Sequence, residues 1–214
     1  MPDRDQEKYA AAQAAAALVL DGQLVGLGTG STVAHLLPAL AARRLAIRCV
    51  ATSPETERLA RELGLAVVPF SGIERLDIAI DGADQIDPQG WLIKGGGGAH
   101  TREKVVAAAA ARFVVIGSAD KAVARIGPPV PLELLRFGID ATRASLGSVR
   151  LRDVPPSPDG GVIADYVGEF SDRDVLAARL DATPGVVGHG IFPPSLTSDV
   201  LLALDGRVEH RVLG

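Results

Sequence analysis

Apolar positions along the chain fall into short blocks whose period switches repeatedly between that of a helix and that of a strand. The alanine-rich stretch 9–20 has helical spacing and stops near Asp21-Gly22, after which Leu24-Val25-Gly26-Leu27 reads as a short buried strand. The alternation continues with a helix at 32–44, a strand at 47–51, a helix at 54–63, strands at 66–69, 77–80 and 91–93, a helix at 101–112 and a strand at 113–116. This order predicts an α/β fold, a parallel sheet with helices on both faces, whose ligands collect at the carboxyl ends of the strands. After about Gly127 the texture changes to Pro128-Pro129 and Pro131, and Pro155-Pro156-Ser157-Pro158-Asp159-Gly160-Gly161 predicts a hairpin turn between 149–151 and 162–164. A helix at 171–180, a turn at Pro184-Gly185 and a strand at 186–187 complete a smaller α+β unit. Strands 200–204 and 208–212 are expected to rejoin the main sheet as a hairpin around Asp205-Gly206. The expected division is a main α/β domain of residues 1–127 and 197–214, with a small α+β domain at 128–196.

Composition narrows the function. The 214 residues are 47% hydrophobic and 22% charged, which disfavours disorder, collagen-like repeats and coiled coils. Only 4% are aromatic and the net charge is −4, so neither base stacking nor phosphate-backbone binding is supported and nucleic acid is not an expected partner. The single cysteine, Cys49, cannot form an internal disulfide and is expected to be a packing residue. The apolar run 10–20 is too short to span a bilayer, and acidic Asp3, Asp5 and Glu7 precede it where a signal peptide would be basic. A cytoplasmic protein without a membrane partner is expected. The only lysines are Lys8, Lys94, Lys104 and Lys121, which makes the place of each informative.

Three loops that follow strands carry candidate chemistry. In Gly26-Leu27-Gly28-Thr29-Gly30-Ser31-Thr32, glycines permit close backbone approach, and free N–H groups with the helix dipole favour an anion. The alternative is a tight turn with a Ser/Thr cap; neither a dinucleotide fingerprint nor a P-loop fits the spacing. In Asp81-Gly82-Ala83-Asp84 a strand ends in two carboxylates suited to sugar hydroxyls or a proton network, or simply to a turn, and they make a weak case for a metal. In Lys94-Gly95-Gly96-Gly97-Gly98-Ala99-His100-Thr101-Arg102-Glu103-Lys104, four successive glycines cost backbone entropy that a turn alone does not justify. Glu103 would project from the first turn of the next helix, either as a functional carboxylate or as a complement to the dipole, while His100 is expected to be half-buried.

Together these loops resemble the ribose-5-phosphate isomerase family, type A. The resemblance is close at Gly28-Thr29-Gly30-Ser31-Thr32, Asp81-Gly82-Ala83-Asp84 and Lys94 to Lys104, and weaker at Lys121, at Pro129-Val130-Pro131-Leu132-Glu133 and at Pro184-Gly185-Val186-Val187. It implies a Rossmann-like sheet with a smaller domain, assembly as a homodimer or homotetramer, no cofactor and no metal. The implied reaction interconverts D-ribose 5-phosphate and D-ribulose 5-phosphate in the pentose phosphate pathway. Glu103 matches the catalytic base, and Asp81, Asp84 and Lys94 match residues that hold and polarise the sugar. Thr29, Gly30, Ser31, Thr32 and Lys121 match positions that take the phosphate and neighbouring oxygens, with Gly82, Ala83, Gly95, Gly96 and Gly97 completing the substrate site.

The residue types suit the reaction. Aldose–ketose exchange moves a proton between adjacent carbons, so a single carboxylate serves as base and then as acid. Lysine and amide donors stabilise the enediolate. Because the protein is acidic, attraction of a dianionic substrate must be local, from Lys94, Lys121 and Lys8. The chain departs from the family pattern at Gln85, at Ser118-Ala119-Asp120 leading into Lys121, at Gly188-His189 and at Pro193-Pro194-Ser195, and its second half is shorter and richer in proline; these changes lie mostly outside the expected reaction centre. The competing readings are a non-catalytic sugar-phosphate sensor on the same sheet, a related sugar-phosphate isomerase, and a CoA transferase with a glutamate nucleophile.

Overall fold

The computed structural model describes residues 3–204 and 206–213. In chain order the elements are α1 (Arg4–Ala17), β1 (Leu24–Leu27), α2 (Ser31–Ala42), β2 (Arg48–Ala51), α3 (Pro54–Glu62), β3 (Ala66–Val67), β4 (Ile78–Gly82), β5 (Gln85–Ile86), β6 (Leu92–Ile93), α4 (His100–Ala109) and β7 (Phe113–Ser118). There follow β8 (Val130–Leu134), α5 (Ile139–Leu146), β9 (Val149–Leu151), β10 (Val162–Tyr166), α6 (Arg173–Ala182), β11 (Val186–His189), β12 (Ile191–Phe192), β13 (Asp199–Leu204) and β14 (Arg207–Val212).

The expected α/β architecture is present. A seven-stranded sheet runs β14-β13-β7-β4-β1-β2-β3, with every neighbouring pair parallel except the closing β13–β14 hairpin. The strands are apolar on both faces because helices cover both. One core cluster joins α1 and α2 to the sheet, and another joins the opposite face to Val106 and Ala107 of α4. The chain builds outward from β1 through β2 to β3 and then returns to β4 on the other side of β1. That reversal opens a crevice at the carboxyl ends of β1 and β4. Asp205 of the expected final turn lies outside the described residues.

Local chemistry sets the boundaries. α1 begins earlier than its apolar pattern indicates, because the Asp3 side chain caps it by accepting from Asp5 N. Its buried face is made of methyl groups, Ala11, Ala12, Ala15 and Ala16. α3 is capped by Ser53, which accepts from Thr56 N, and Pro54 opens the helix.

Two expectations need correction. Leu92–Ile93 does not join the parallel sheet; it pairs antiparallel with β5 and with β12 in a separate three-stranded sheet. The reason is local: Asp87 Oδ1 accepts from Gln89 N and Trp91 N, folding the chain straight back, and no crossover helix exists to allow parallel pairing. The second half also contains three elements that the pattern does not predict, β8, α5 and β12. Pro131 argued against a strand, yet β8 is central in the four-stranded antiparallel sheet β11-β8-β10-β9. Pairing with β11 extends only from Leu134 to Leu132, so the proline falls just beyond the part that needs both neighbours.

Candidate active site

The first loop is three residues long, between Leu27 and Ser31. Gly28 N–H donates to Ile80 O at 3.0 Å, drawing the loop against β4. A Cβ on Gly28 would lie 1.9 Å from Asp81 Cγ, so only glycine lets the two strands' ends approach this closely. Thr29 N–H then donates to Asp81 Oδ1 at 3.1 Å, and Gly82 N–H donates to the same oxygen at 2.7 Å. The Thr29 hydroxyl is 2.8 Å from that of Thr52, which in turn donates to Leu27 O.

β4 extends through Gly82, which leaves the Asp81 side chain 4% exposed rather than at a free strand end. Lys94 enters from the chain after β6 and is equally buried. Its Nζ is 2.9 Å from Asp81 Oδ2 and 3.0 Å from Glu103 Oε2, and it donates to Gly82 O at 2.6 Å. The Phe192 ring lies beneath it, with Nζ 5.5 Å from the centroid. Lys94 is therefore neither a solvated surface charge nor a free cation for attracting substrate; two carboxylates neutralise it. Glu103 sits in the first turn of α4 and is 3% exposed. Its Oε2 makes no hydrogen bond of good geometry despite the nearby ammonium.

These contacts set the protonation states. Burial, followed by the adjacent negative charge of Asp81, pushes Glu103 up to about 7 against the opposing pull of Lys94. Burial also raises Asp81, with Lys94 and the Thr29 and Gly82 amides resisting. For Lys94, burial acts to lower the pKa, but Asp81 and Glu103 outweigh it and hold the ammonium charged.

The glycine loop lies opposite. Asp84 Oδ2 accepts from Gly96 N–H at 2.7 Å, while Asp84 N–H donates to Ile93 O, so the second aspartate fixes the loop with one oxygen. Gly95 adopts φ +112° and makes a turn closed by Gly98 N–H on Gly95 O at 3.1 Å, a conformation that requires glycine. Lys121 comes from a single 3₁₀ turn, Ala119–Lys121, directly after β7. The turn is anchored by Ala119 N–H donating to Glu7 Oε2 of α1 at 3.1 Å.

The result is a cleft of about 120 Å³ lined by Thr29, Gly30, Ser31, Thr32, Gly82, Ala83, Asp84, Lys94, Gly95, Gly96, Gly97, Glu103 and Lys121. Of the expected catalytic and substrate-binding residues all but Asp81 meet here, and Asp81 lies behind the wall and reaches the cleft through Lys94. Lys8, half-buried on α1, does not line it. His100 is fully buried rather than half-buried, and with neither ring nitrogen well hydrogen bonded, burial pushes it down to about 3 and leaves it neutral. Among the described residues no group of three or more His, Cys, Asp or Glu side chains is arranged to hold a metal. No helix among them is long and apolar enough to cross a membrane. Glu7 and Thr52 escaped the sequence reading because the partners of each, Ala119 for one and Thr29 for the other, are distant along the chain.

Residues 48–206 match the sequence profile of ribose 5-phosphate isomerase A (phosphoriboisomerase A). The chain belongs to that family. It is 44% identical to the ribose-5-phosphate isomerase A of Caulobacter sp. (strain K31), over 95% of this chain and 96% of that protein. The ribose 5 phosphate isomerase A structure from Neisseria gonorrhoeae superposes with a TM-score of 0.94 at 29% identity, covering 100% of this chain and 99% of that one. A D-ribose-5-phosphate isomerase in complex with phospho-erythronic acid superposes with a TM-score of 0.91 at 29% identity, covering 98% and 99%.

Proposed function

We propose that the protein is a ribose-5-phosphate isomerase that interconverts D-ribose 5-phosphate and D-ribulose 5-phosphate through an enediolate. One observation carries the reading: the Glu103 carboxyl is raised to about 7 and borders the same cleft as the glycine loop. A base that titrates near neutrality both takes and returns a proton at working pH.

In the aldose-to-ketose direction, ionised Glu103 removes the proton from C2, and the electrons of that bond form the C1=C2 double bond as the C1 carbonyl oxygen takes up charge. The same carboxyl then delivers the proton to C1, while the proton of the C2 hydroxyl passes to the charged C1 oxygen, leaving a ketone at C2 and a hydroxyl at C1. Lys94 holds Glu103 and Asp81 in register and sets a positive charge beside the developing oxyanion. Donors fixed in this way contribute on the order of 10² to 10³ in rate each. Asp84 keeps one oxygen on Gly96 and offers the other to the sugar. The amides and hydroxyls of Thr29 to Thr32, at the amino end of α2, together with Lys121, receive the phosphate. Gly82, Ala83, Gly95, Gly96 and Gly97 complete the substrate wall.

A phosphorylated four-carbon acid bound by a structural relative supports this substrate class, since its carboxylate copies the two-oxygen end of an enediolate. A sensor would need the cradle but not a base tuned by burial, and CoA transfer would need a glutamate open to a bulky thioester. The same reading carries a place in the pentose phosphate pathway, residence in the cytoplasm, assembly as a homodimer or homotetramer and the domain division at 128 and 197. The four-stranded sheet within residues 130–189 supports that division, although β12 reaches across it to pair with β6. A coupled assay for ribulose 5-phosphate run with chelator in excess tests the reading. Turnover at the same rate with and without chelator is expected, and a protein inactive on ribose 5-phosphate would refute it.

A further inference from the structure

The glycine loop is held from a second side, by a residue with no place in the mechanism above. Arg152 follows β9 in the antiparallel sheet, and its side chain is 18% exposed. One edge of its guanidinium grips buried Asp165 of β10, with Nε 3.1 Å from Oδ2 and Nη2 2.6 Å from Oδ1. The remaining nitrogen, Nη1, donates to two carbonyls of the glycine loop, Gly95 O at 2.9 Å and Gly96 O at 3.2 Å. Only a planar fork of fixed donors satisfies a carboxylate on one edge while reaching two carbonyls from its other end.

The peptide group translates this grip into catalytic geometry. In a trans peptide the C=O and N–H point in opposite directions. The Gly95–Gly96 peptide is fixed at both ends, its oxygen on Arg152 and its N–H on Asp84 Oδ2. The Gly96–Gly97 peptide is fixed only at its oxygen, so its N–H is turned away from Arg152. Gly97 lines the cleft, and among the described residues its N–H donates to no backbone or side-chain acceptor. Four successive glycines do not hold such an orientation unaided, because each is free in φ and ψ.

We infer that Arg152, anchored by Asp165, is a positioning residue for the isomerase reaction: it sets the Gly96–Gly97 peptide so that the Gly97 amide faces the enediolate oxygens. The inference rests on the isomerase reading and adds a group from the second sheet to it. A donor aimed at charge present only in the intermediate acts on kcat, not on ground-state binding.

The test compares wild type with Arg152→Lys, Arg152→Gln and Asp165→Asn. It reads kcat and KM for ribose 5-phosphate, the inhibition constant of 4-phospho-erythronate as a mimic of the intermediate, and the melting temperature. Arg152→Lys keeps a cation beside Asp165 but loses the fork, and Asp165→Asn keeps Arg152 but weakens its anchor, so the pair covers the case in which Arg152→Gln does not fold. The expected pattern is a fall in kcat of about 10- to 100-fold, the scale of a small misplacement of catalytic groups. Inhibition by 4-phospho-erythronate should weaken in parallel, with KM nearly unchanged. Variants whose folded protein keeps kcat and the inhibition constant within about twofold of wild type, whatever their melting temperature, overturn the inference and reduce Arg152 to a structural brace. A wild type inactive on ribose 5-phosphate overturns the isomerase reading instead, and this inference with it.

Discussion

In the proposed mechanism the chemistry turns on Glu103, whose environment gives that role two testable signatures. Replacing it with glutamine removes the base but leaves Asp81 to neutralise Lys94, so the cluster keeps a charge partner. Turnover of Glu103→Gln is expected to fall by roughly 10² to 10⁴, the range for a lost general base, while binding of a ribose-5-phosphate analogue stays close to wild type by calorimetry. The second signature is in pH. The carboxyl must be ionised to accept a proton, and burial has moved it from 4.5 to about 7, so kcat/KM should rise through neutrality and level off above it. A pH profile that is already flat at pH 5 would contradict the raised value. The same shift acts on stability with the opposite sense: a pKa raised on folding gives a stabilising contribution that is complete below about 4.5 and is lost as pH climbs through about 7. The residue types were legible in the sequence because the chemistry demands them in adjacent loops. The ion pairs were not, since nothing in the spacing of Lys94 and Asp81 announces that the lysine would be neutralised and the aspartate sealed behind Gly28.

At the scale of elements, the parallel sheet was readable because each strand–helix unit is local and bounded by Gly, Asp or Pro. β1 was placed correctly to the residue, and α3 was correct apart from its last residue. The errors arose where pairing is long-range. Pro131 concealed β8, whose partners are distant along the chain, and two-residue β6 carries too little pattern to reveal whether its neighbours are parallel or antiparallel. Arg152 escaped for the same reason, since its targets are 56 and 57 positions distant. The short 3₁₀ turn after β7 places Lys121 at the rim of the cleft, with Asp120 the nearest carboxylate at 4.0 Å. Lys121→Ala should therefore weaken binding of phosphorylated sugars relative to their unphosphorylated counterparts, as measured by inhibition constants. Equal losses for both would remove the phosphate contact.

At the scale of the whole molecule, a protein of net charge −4 must capture a dianion. With Lys94 neutralised by Asp81 and Glu103, the cleft does not present a strong positive field; Lys121 and the amino end of α2 act over short range. Association should then be governed by these local contacts rather than by long-range steering. Raising ionic strength screens the repulsion of the acidic surface as well as the pull of Lys121, so kcat/KM is expected to change only weakly with salt. A steep fall with added salt would reveal a field that this charge arrangement does not provide.

The alanine face of α1 carries a consequence for the turn that bears Lys121. Because alanines make up the buried face of α1 apart from Glu7, the helix packs against its neighbours through methyl groups, and Glu7 on the same face reaches the Ala119 amide. A bulkier side chain at Ala11 or Ala15 would lift the helix, and the lysine-bearing turn would lose its tether although no atom of the cleft had been altered.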